Sequence, residues 1–123
     1  MKTSEYHCPH CKNPLKPDKH IILLAEKTDA SKGLVLFEPE LGDYRILKHP
    51  EFRLKTGEQL KFFCPICQTS LEDESGKFSE IILSEPNGNT FAVRFSGTVG
   101  EQATYKMQEG KIHERFGNDS DKY

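Results

Sequence analysis

The chain has 123 residues, enough for one compact domain and too few for two. Hydrophobic residues make up 35% and charged residues 29%, the balance of a globular chain with a modest core rather than of a disordered one. With 17 Lys and Arg against 19 Asp and Glu, the formal net charge of −2 excludes an overall electrostatic grip on nucleic acid or anionic lipid.

Residues 1–6 show no secretory pattern, and the longest apolar run, 21–25, is too short to cross a bilayer. A cytoplasmic protein without membrane attachment is expected, in a compartment where paired cysteines favour metal over disulfide. The first motif, at 6–15, is Tyr6-His7-Cys8-Pro9-His10-Cys11-Lys12-Asn13-Pro14-Leu15. Strands are expected at 20–26 and 33–38, both nearly continuous apolar runs and so read as buried on both faces. A turn at 38–43 leads to a strand at 44–48, and Lys55-Thr56-Gly57 turns into a strand at 58–63.

The second motif, at 62–71, repeats the first as Phe62-Phe63-Cys64-Pro65-Ile66-Cys67-Gln68-Thr69-Ser70-Leu71. An acidic, solvated loop follows at 72–76. A β-meander is then expected over 78–116. A strand at 80–85 passes through Pro86-Asn87-Gly88-Asn89, the sharpest hairpin signal in the chain, into one at 90–96 with Phe91, Val93 and Phe95 on a shared face. Phe78, Ile81 and Ile82 also fit a helical turn. Ala103, Tyr105 and Met107 alternate as a strand, and Glu109-Gly110 turns into Ile112, Glu114 and Phe116. The organisation expected is one domain over 1–117 and a flexible tail over 118–123.

Both motifs follow one formula: aromatic, any residue, Cys, Pro, any residue, Cys, a long polar residue, two more residues, Leu. This is the form of a metal knuckle, in which a tight turn aims backbone N–H groups at the thiolates and the proline fixes φ. The aromatic and the leucine are expected to anchor each knuckle in the core. Two such pairs with no cysteine left over predict one tetrahedral site, a structural Zn2+ held by Cys8, Cys11, Cys64 and Cys67. Zinc binding is worth on the order of 10 kcal/mol or more at neutral pH. That rivals the whole net stability of a small domain, about 5–15 kcal/mol, so the metal is expected to be required for the fold. Lys12 and Gln68 stand where such turns often carry glycine, and a left-handed backbone there costs a little. Lys12 and Lys16 either offset the charge of the thiolates or sit as solvated surface.

Three rivals use the same cysteines. Iron is held by rubredoxin knuckles, but those carry glycine after the second cysteine and lie closer together. Cys8-Pro9-His10-Cys11 has the letters of a thiol-oxidase motif, in which a following helix makes the first cysteine reactive. Here Pro14 and Pro17 oppose a long helix, and the second C-P-x-C would go unexplained. Exchange of His7 or His10 for a cysteine ligand is the third. His20, His49 and His113 are isolated and read as structural or exposed. No catalytic residues are nominated, and the protein is expected not to be an enzyme.

The full spacing, C-x2-C-x52-C-x2-C, resembles that of the Yippee proteins, whose β-tent fold is shared by the ligand-binding domain of cereblon and the B-type methionine sulfoxide reductases. Tyr6-x-Cys8-x-His10-Cys11, Gly33-Leu34-Val35-Leu36-Phe37 and Cys67-Gln68-Thr69-Ser70-Leu71 look like their Yippee counterparts, so the resemblance covers about residues 6–71. It implies a mainly β fold in which two antiparallel sheets meet near a zinc held by two knuckles. The chain departs from it in three places. Leu71 runs into Glu72 where a Gly-Trp pair is usual, there is no tryptophan to wall a cereblon-type pocket, and no cysteine remains for reductase catalysis.

The expected fold is therefore mainly β, antiparallel sheets stapled by two zinc knuckles (β-tent or zinc-ribbon-like) and followed by a C-terminal meander. The expected role is a non-catalytic binding or regulatory module for a protein or small-ligand partner, with Arg94, Tyr105 and His113 as candidate contacts on the meander. A nucleic-acid-binding zinc ribbon is the alternative, using Lys48, Arg53, Lys55 and Lys61 with Phe52, Phe62 and Phe63, a strip that Glu51 and Glu58 interrupt. A dithiol oxidoreductase is the third reading.

Overall fold

The computed structural model describes residues 4–122. Nine strands form two antiparallel sheets. They are β1 (Glu5–His7), β2 (Ile21–Glu26), β3 (Lys32–Phe37), β4 (Ile46–Lys48), β5 (Lys61–Phe63), β6 (Phe78–Ser84), β7 (Thr90–Ser96), β8 (Thr104–Gln108) and β9 (Lys111–Phe116). One sheet has the order β1-β6-β7-β8-β9 and the other β4-β3-β2-β5. The chain thus begins in the five-stranded sheet, builds the whole four-stranded sheet, and returns. The mainly β, antiparallel architecture expected from the sequence is the one observed, and none of the described residues forms a helix long and apolar enough to cross a membrane.

Period-two patterning assigns the faces. Ile21, Leu23 and Ala25 of β2, Val35 of β3 and Phe62 of β5 point inward, against Tyr6, Ile81, Leu83, Phe91 and Val93 of the other sheet. The Asn87-Gly88 turn closes the β6–β7 hairpin, with Ser84 opposite Thr90 and Ile81 opposite Val93. Phe78, Ser79, Ile81 and Leu83 are buried in an extended strand, so the helical reading of this segment is set aside, and the strand starts two residues before the predicted Glu80.

Two further expectations are corrected. First, β2 and β3 are not buried on both faces. Leu34 is 52% and Leu47 of β4 55% exposed, because the only sheet that packs on this one covers its inner face. Ile22, Leu24, Leu34, Leu36 and Leu47, joined through the register of β2, β3 and β4, make an apolar outer face instead. Second, Tyr105 is 5% exposed and packs with Phe78, Ala103 and Met107 on the far side of the five-stranded sheet, so it offers no surface contact. Residues 119–122, part of the segment expected as a flexible tail, lie beside that cluster. Tyr105 Oη donates to Ser120 O at 2.6 Å, Asp119 Oδ2 accepts from Gln102 N at 2.9 Å, and Ser120–Lys122 forms a 3-10 turn.

Lys106 is the one buried cation among the described residues. Its Nζ lies 2.9 Å from Glu85 Oε2 and 4.2 Å above the Phe91 ring, which together replace its lost hydration. The sheets are also stitched backbone to backbone at one end. Leu60 N donates to Gly97 O at 2.8 Å, Gly57 N to Val99 O at 2.8 Å, and Gln59 bridges Thr98. Gly97 permits this approach, since a Cβ there would stand 2.6 Å from Leu60 O.

Gly97→Ala is therefore expected to destabilise the protein by roughly 1–3 kcal/mol through overpacking, read from the midpoint of urea unfolding of metal-loaded protein. Gly88→Ala, where a Cβ meets nothing but φ is +92°, is expected to cost only about 1 kcal/mol.

Candidate metal centre

Each knuckle is the tip of a small hairpin. β1 delivers Cys8 and β5 delivers Cys64, after which the chain folds back on the strand it has just left. His7 bridges Pro14 and Phe63 bridges Ser70, while Leu15 N donates to Tyr6 O at 2.7 Å and Leu71 N to Phe62 O at 2.9 Å. Tyr6, Leu15, Phe62 and Leu71 are all buried, so the aromatic and leucine of the repeat do anchor the turns. Tyr6 Oη also donates to Pro39 O at 2.6 Å, and burial raises its pKa to about 12.

Inside each turn the geometry repeats atom for atom. Lys12 N donates to Cys8 O at 3.0 Å and Gln68 N to Cys64 O at 2.9 Å. Lys12 and Gln68 accept the left-handed conformation, with φ of 65° and 61°, that glycine would adopt freely. The amides of His10 and Cys11 point at Cys8 Sγ at 3.3 and 3.5 Å. Those of Ile66 and Cys67 point at Cys64 Sγ at 3.4 and 3.5 Å.

The two turns face each other, and the four sulfurs predicted as ligands all lie within 4.8 Å of one another. Cys8 Sγ is 3.8 Å from Cys67 Sγ and Cys11 Sγ is 3.7 Å from Cys64 Sγ, each pair joining one knuckle to the other. Cys8 and Cys64 are fully buried, Cys11 and Cys67 partly so, and none is in a disulfide. Four sulfurs so placed could hold a metal ion.

His7 and His10 are outside the cluster. His10 Nε2 instead lies 3.2 Å from Ser70 O, a hydrogen bond from the first knuckle to the second. The lysines do not reach the sulfurs either. Lys12 Nζ donates to Pro9 O at 2.8 Å and Lys16 Nζ to Asp18 O at 3.3 Å. Negative charge at the cluster is met by amide donors, not by ammonium groups.

The four thiols divide by environment. Burial raises Cys8, and raises Cys64 to about 12. Hydrogen bonds from Asn13 lower Cys11, and hydrogen bonds from Thr69, its hydroxyl first and then its amide, lower Cys67 to about 6. Each close sulfur pair therefore joins a thiol raised by burial to one lowered by hydrogen bonds. A redox dithiol needs an exposed, acidic first cysteine. Cys8 is the opposite, and a left-handed turn rather than a helix follows Cys11.

Asn13 and Thr69 were not singled out by the sequence reading. The signal was present, since both stand two residues after the second cysteine of a knuckle and both carry a short polar side chain, yet the repeat formula treated the position as free. Compared with known proteins, the chain matches no family model, no curated protein and no solved structure.

Removing an outer-shell donor is expected to cost metal affinity rather than fold. Thr69→Val should weaken metal binding by roughly tenfold, measured by chelator competition, with an unchanged amide spectrum of the loaded protein. Because a sulfur must lose its proton to ligate, retention of a metal at this cluster should also fall steadily on acidification. A pH titration of bound metal would reveal this.

Proposed function

We propose that the chain is a non-catalytic binding module whose two sheets are stapled by one structural zinc ion at Cys8, Cys11, Cys64 and Cys67. The sulfur spacing carries this reading. Zinc bound to thiolates at about 2.3 Å in a tetrahedron puts its sulfurs about 3.8 Å apart. The two inter-knuckle pairs stand at 3.8 and 3.7 Å. Four protein thiolates complete a tetrahedral shell and leave no position for water or substrate, which is the arrangement of structural rather than catalytic zinc. A soft, all-sulfur donor set suits zinc or iron and disfavours magnesium, calcium and manganese. Free thiols in this number fit a reducing compartment such as the cytoplasm.

The meeting of two antiparallel sheets at the paired knuckles supports the β-tent resemblance. A binding role draws on two features that a purely structural protein has little use for, the apolar outer face around Leu34 and Leu47 and a cleft between the sheets. The nucleic-acid reading gains nothing comparable, because Phe52 and Phe62, two of its three stacking rings, are buried in the core.

Elemental analysis combined with thiol titration tests the metal reading. One zinc per chain is expected, with all four thiols masked in the native protein and all four reactive once a chelator is added. Iron in place of zinc, or a disulfide that cycles with the native thiols, would contradict it.

A further inference from the structure

We propose that the cleft between the two sheets binds a small amphiphile with an apolar body and a cationic amine end. This rests on the binding-module reading and names the ligand class it would serve. The cleft has a volume of about 250 Å³, whereas protein interiors normally leave few voids larger than a water molecule. An apolar cavity of about 150 Å³ is already large enough to take benzene. Its inner wall is apolar and drawn from both sheets. Phe37 and Phe62 of the four-stranded sheet meet Phe95 of the five-stranded one, with ring centroids 5.4–5.9 Å apart, and Val35 and Val93 continue the surface.

The entrance has a different chemistry. It lies between the loops at 38–44 and 97–102. All the charged side chains lining the cleft are carboxylates: Glu38, Glu40, Asp43 and Glu101. Glu38 is 3.5 Å from His20 Nε2, and Glu101 accepts a hydrogen bond from Ser96 Oγ at 2.5 Å. Arg45 borders a second, shallower dish on the same loop; its guanidinium is held by both Asp43 oxygens and also feels Glu38 and Glu40. Among the described residues, no lysine or arginine lines the cleft to receive a carboxylate or phosphate. Fatty acids and phosphorylated ligands are therefore disfavoured, and an ammonium group at the rim is favoured. Ser96, Thr98 and Gln102 stand beside the acids with hydrogen-bonding groups. An apolar body buried between the sheets with a charged end at a polar rim is the usual division of a ligand site into affinity and orientation.

The test compares octylamine, octanol and octanoate, which share a tail and differ in the head. Each is titrated below its micelle concentration into isotopically labelled, zinc-loaded full-length chain, and amide shifts are followed. The amine is expected to bind roughly tenfold more tightly than the carboxylate at low salt, with the alcohol between and the gap narrowing as salt is added. The shifts should centre on Val35, Val93, Phe95 and Val99. Val99→Phe, which puts a ring into the entrance, should abolish them. Glu40→Lys, on the exposed rim, leaves the core untouched and should narrow the amine preference severalfold. The proposal is overturned if no probe moves the cleft residues, if octanoate binds as well as octylamine, or if Glu40→Lys leaves the preference unchanged. Shifts confined to the outer face around Leu34 and Leu47 would remove the cleft assignment while leaving the binding-module reading in place.

Discussion

Everything in this fold hangs on the two places where the chain crosses from one sheet to the other. The first crossing follows β1 and the second follows β5, and each is a knuckle. β1 and β5 have three residues apiece, too few to hold an edge by ladder hydrogen bonds alone. The hairpins that extend them gain rigidity from Tyr6, Leu15, Phe62 and Leu71 in the core, but the decisive constraint is the approach of four sulfurs within 4.8 Å. Without a cation such an arrangement opposes itself. Ionised thiolates at that distance repel, and protonated ones offer only weak hydrogen bonds. A divalent ion bound there would turn the same four atoms into a tie between the sheets.

The two knuckles are equivalent locally and opposite globally. Backbone hydrogen bonds, left-handed residue and amide-to-sulfur contacts agree to within 0.2 Å, as in the 2.7 and 2.9 Å bonds from Leu15 and Leu71. Yet the first turn leaves the five-stranded sheet and the second leaves the four-stranded one. After the first, Ile22 N of β2 donates to Leu15 O, and after the second, Glu80 N of β6 donates to Leu71 O. Each leucine segment therefore contacts the strand of one sheet behind it and of the other sheet ahead. The pairing of sulfurs across the knuckles, Cys8 with Cys67 and Cys11 with Cys64, repeats that exchange at the centre.

Local chemistry was legible in the sequence, and long-range chemistry much less so. The four cysteines, the anchoring aromatic and leucine, the Asn87-Gly88 hairpin and most strand positions follow from spacing and periodicity, which act over a few residues. At Lys12 and Gln68 the sequence left the turn open, since a left-handed backbone costs a non-glycine residue a little, and the structure adopts it at both. Where the reading failed, a distant partner decided. An apolar run such as 20–26 says that a strand is poor in charge, but whether its second face is covered depends on a layer from elsewhere in the chain, and here none arrives. Tyr105 could be named only as a possible contact on an alternating strand, because the 3-10 turn that its hydroxyl bonds comes 15 residues later and carries no apolar signal. The cleft had no signal at all, being space left between segments that are far apart in sequence.

That space persists for a reason that ties it to the knuckles. A void between two apolar faces normally closes, since sliding the layers together recovers contact and removes wet apolar surface. Here the layers are fixed at two points that respond to other forces. At one end the knuckles set the spacing through sulfur geometry. At the other, the backbone bonds of Leu60 with Gly97 and Gly57 with Val99 set it through peptide hydrogen bonds. Neither tie shortens in response to an empty cleft. Tyr6 connects these restraints directly, since it anchors the first knuckle, lines the cleft and donates to Pro39 in the loop at the entrance. A metal bound at the four sulfurs would thus do more than hold the fold together: it would help keep the sheets apart at the cleft.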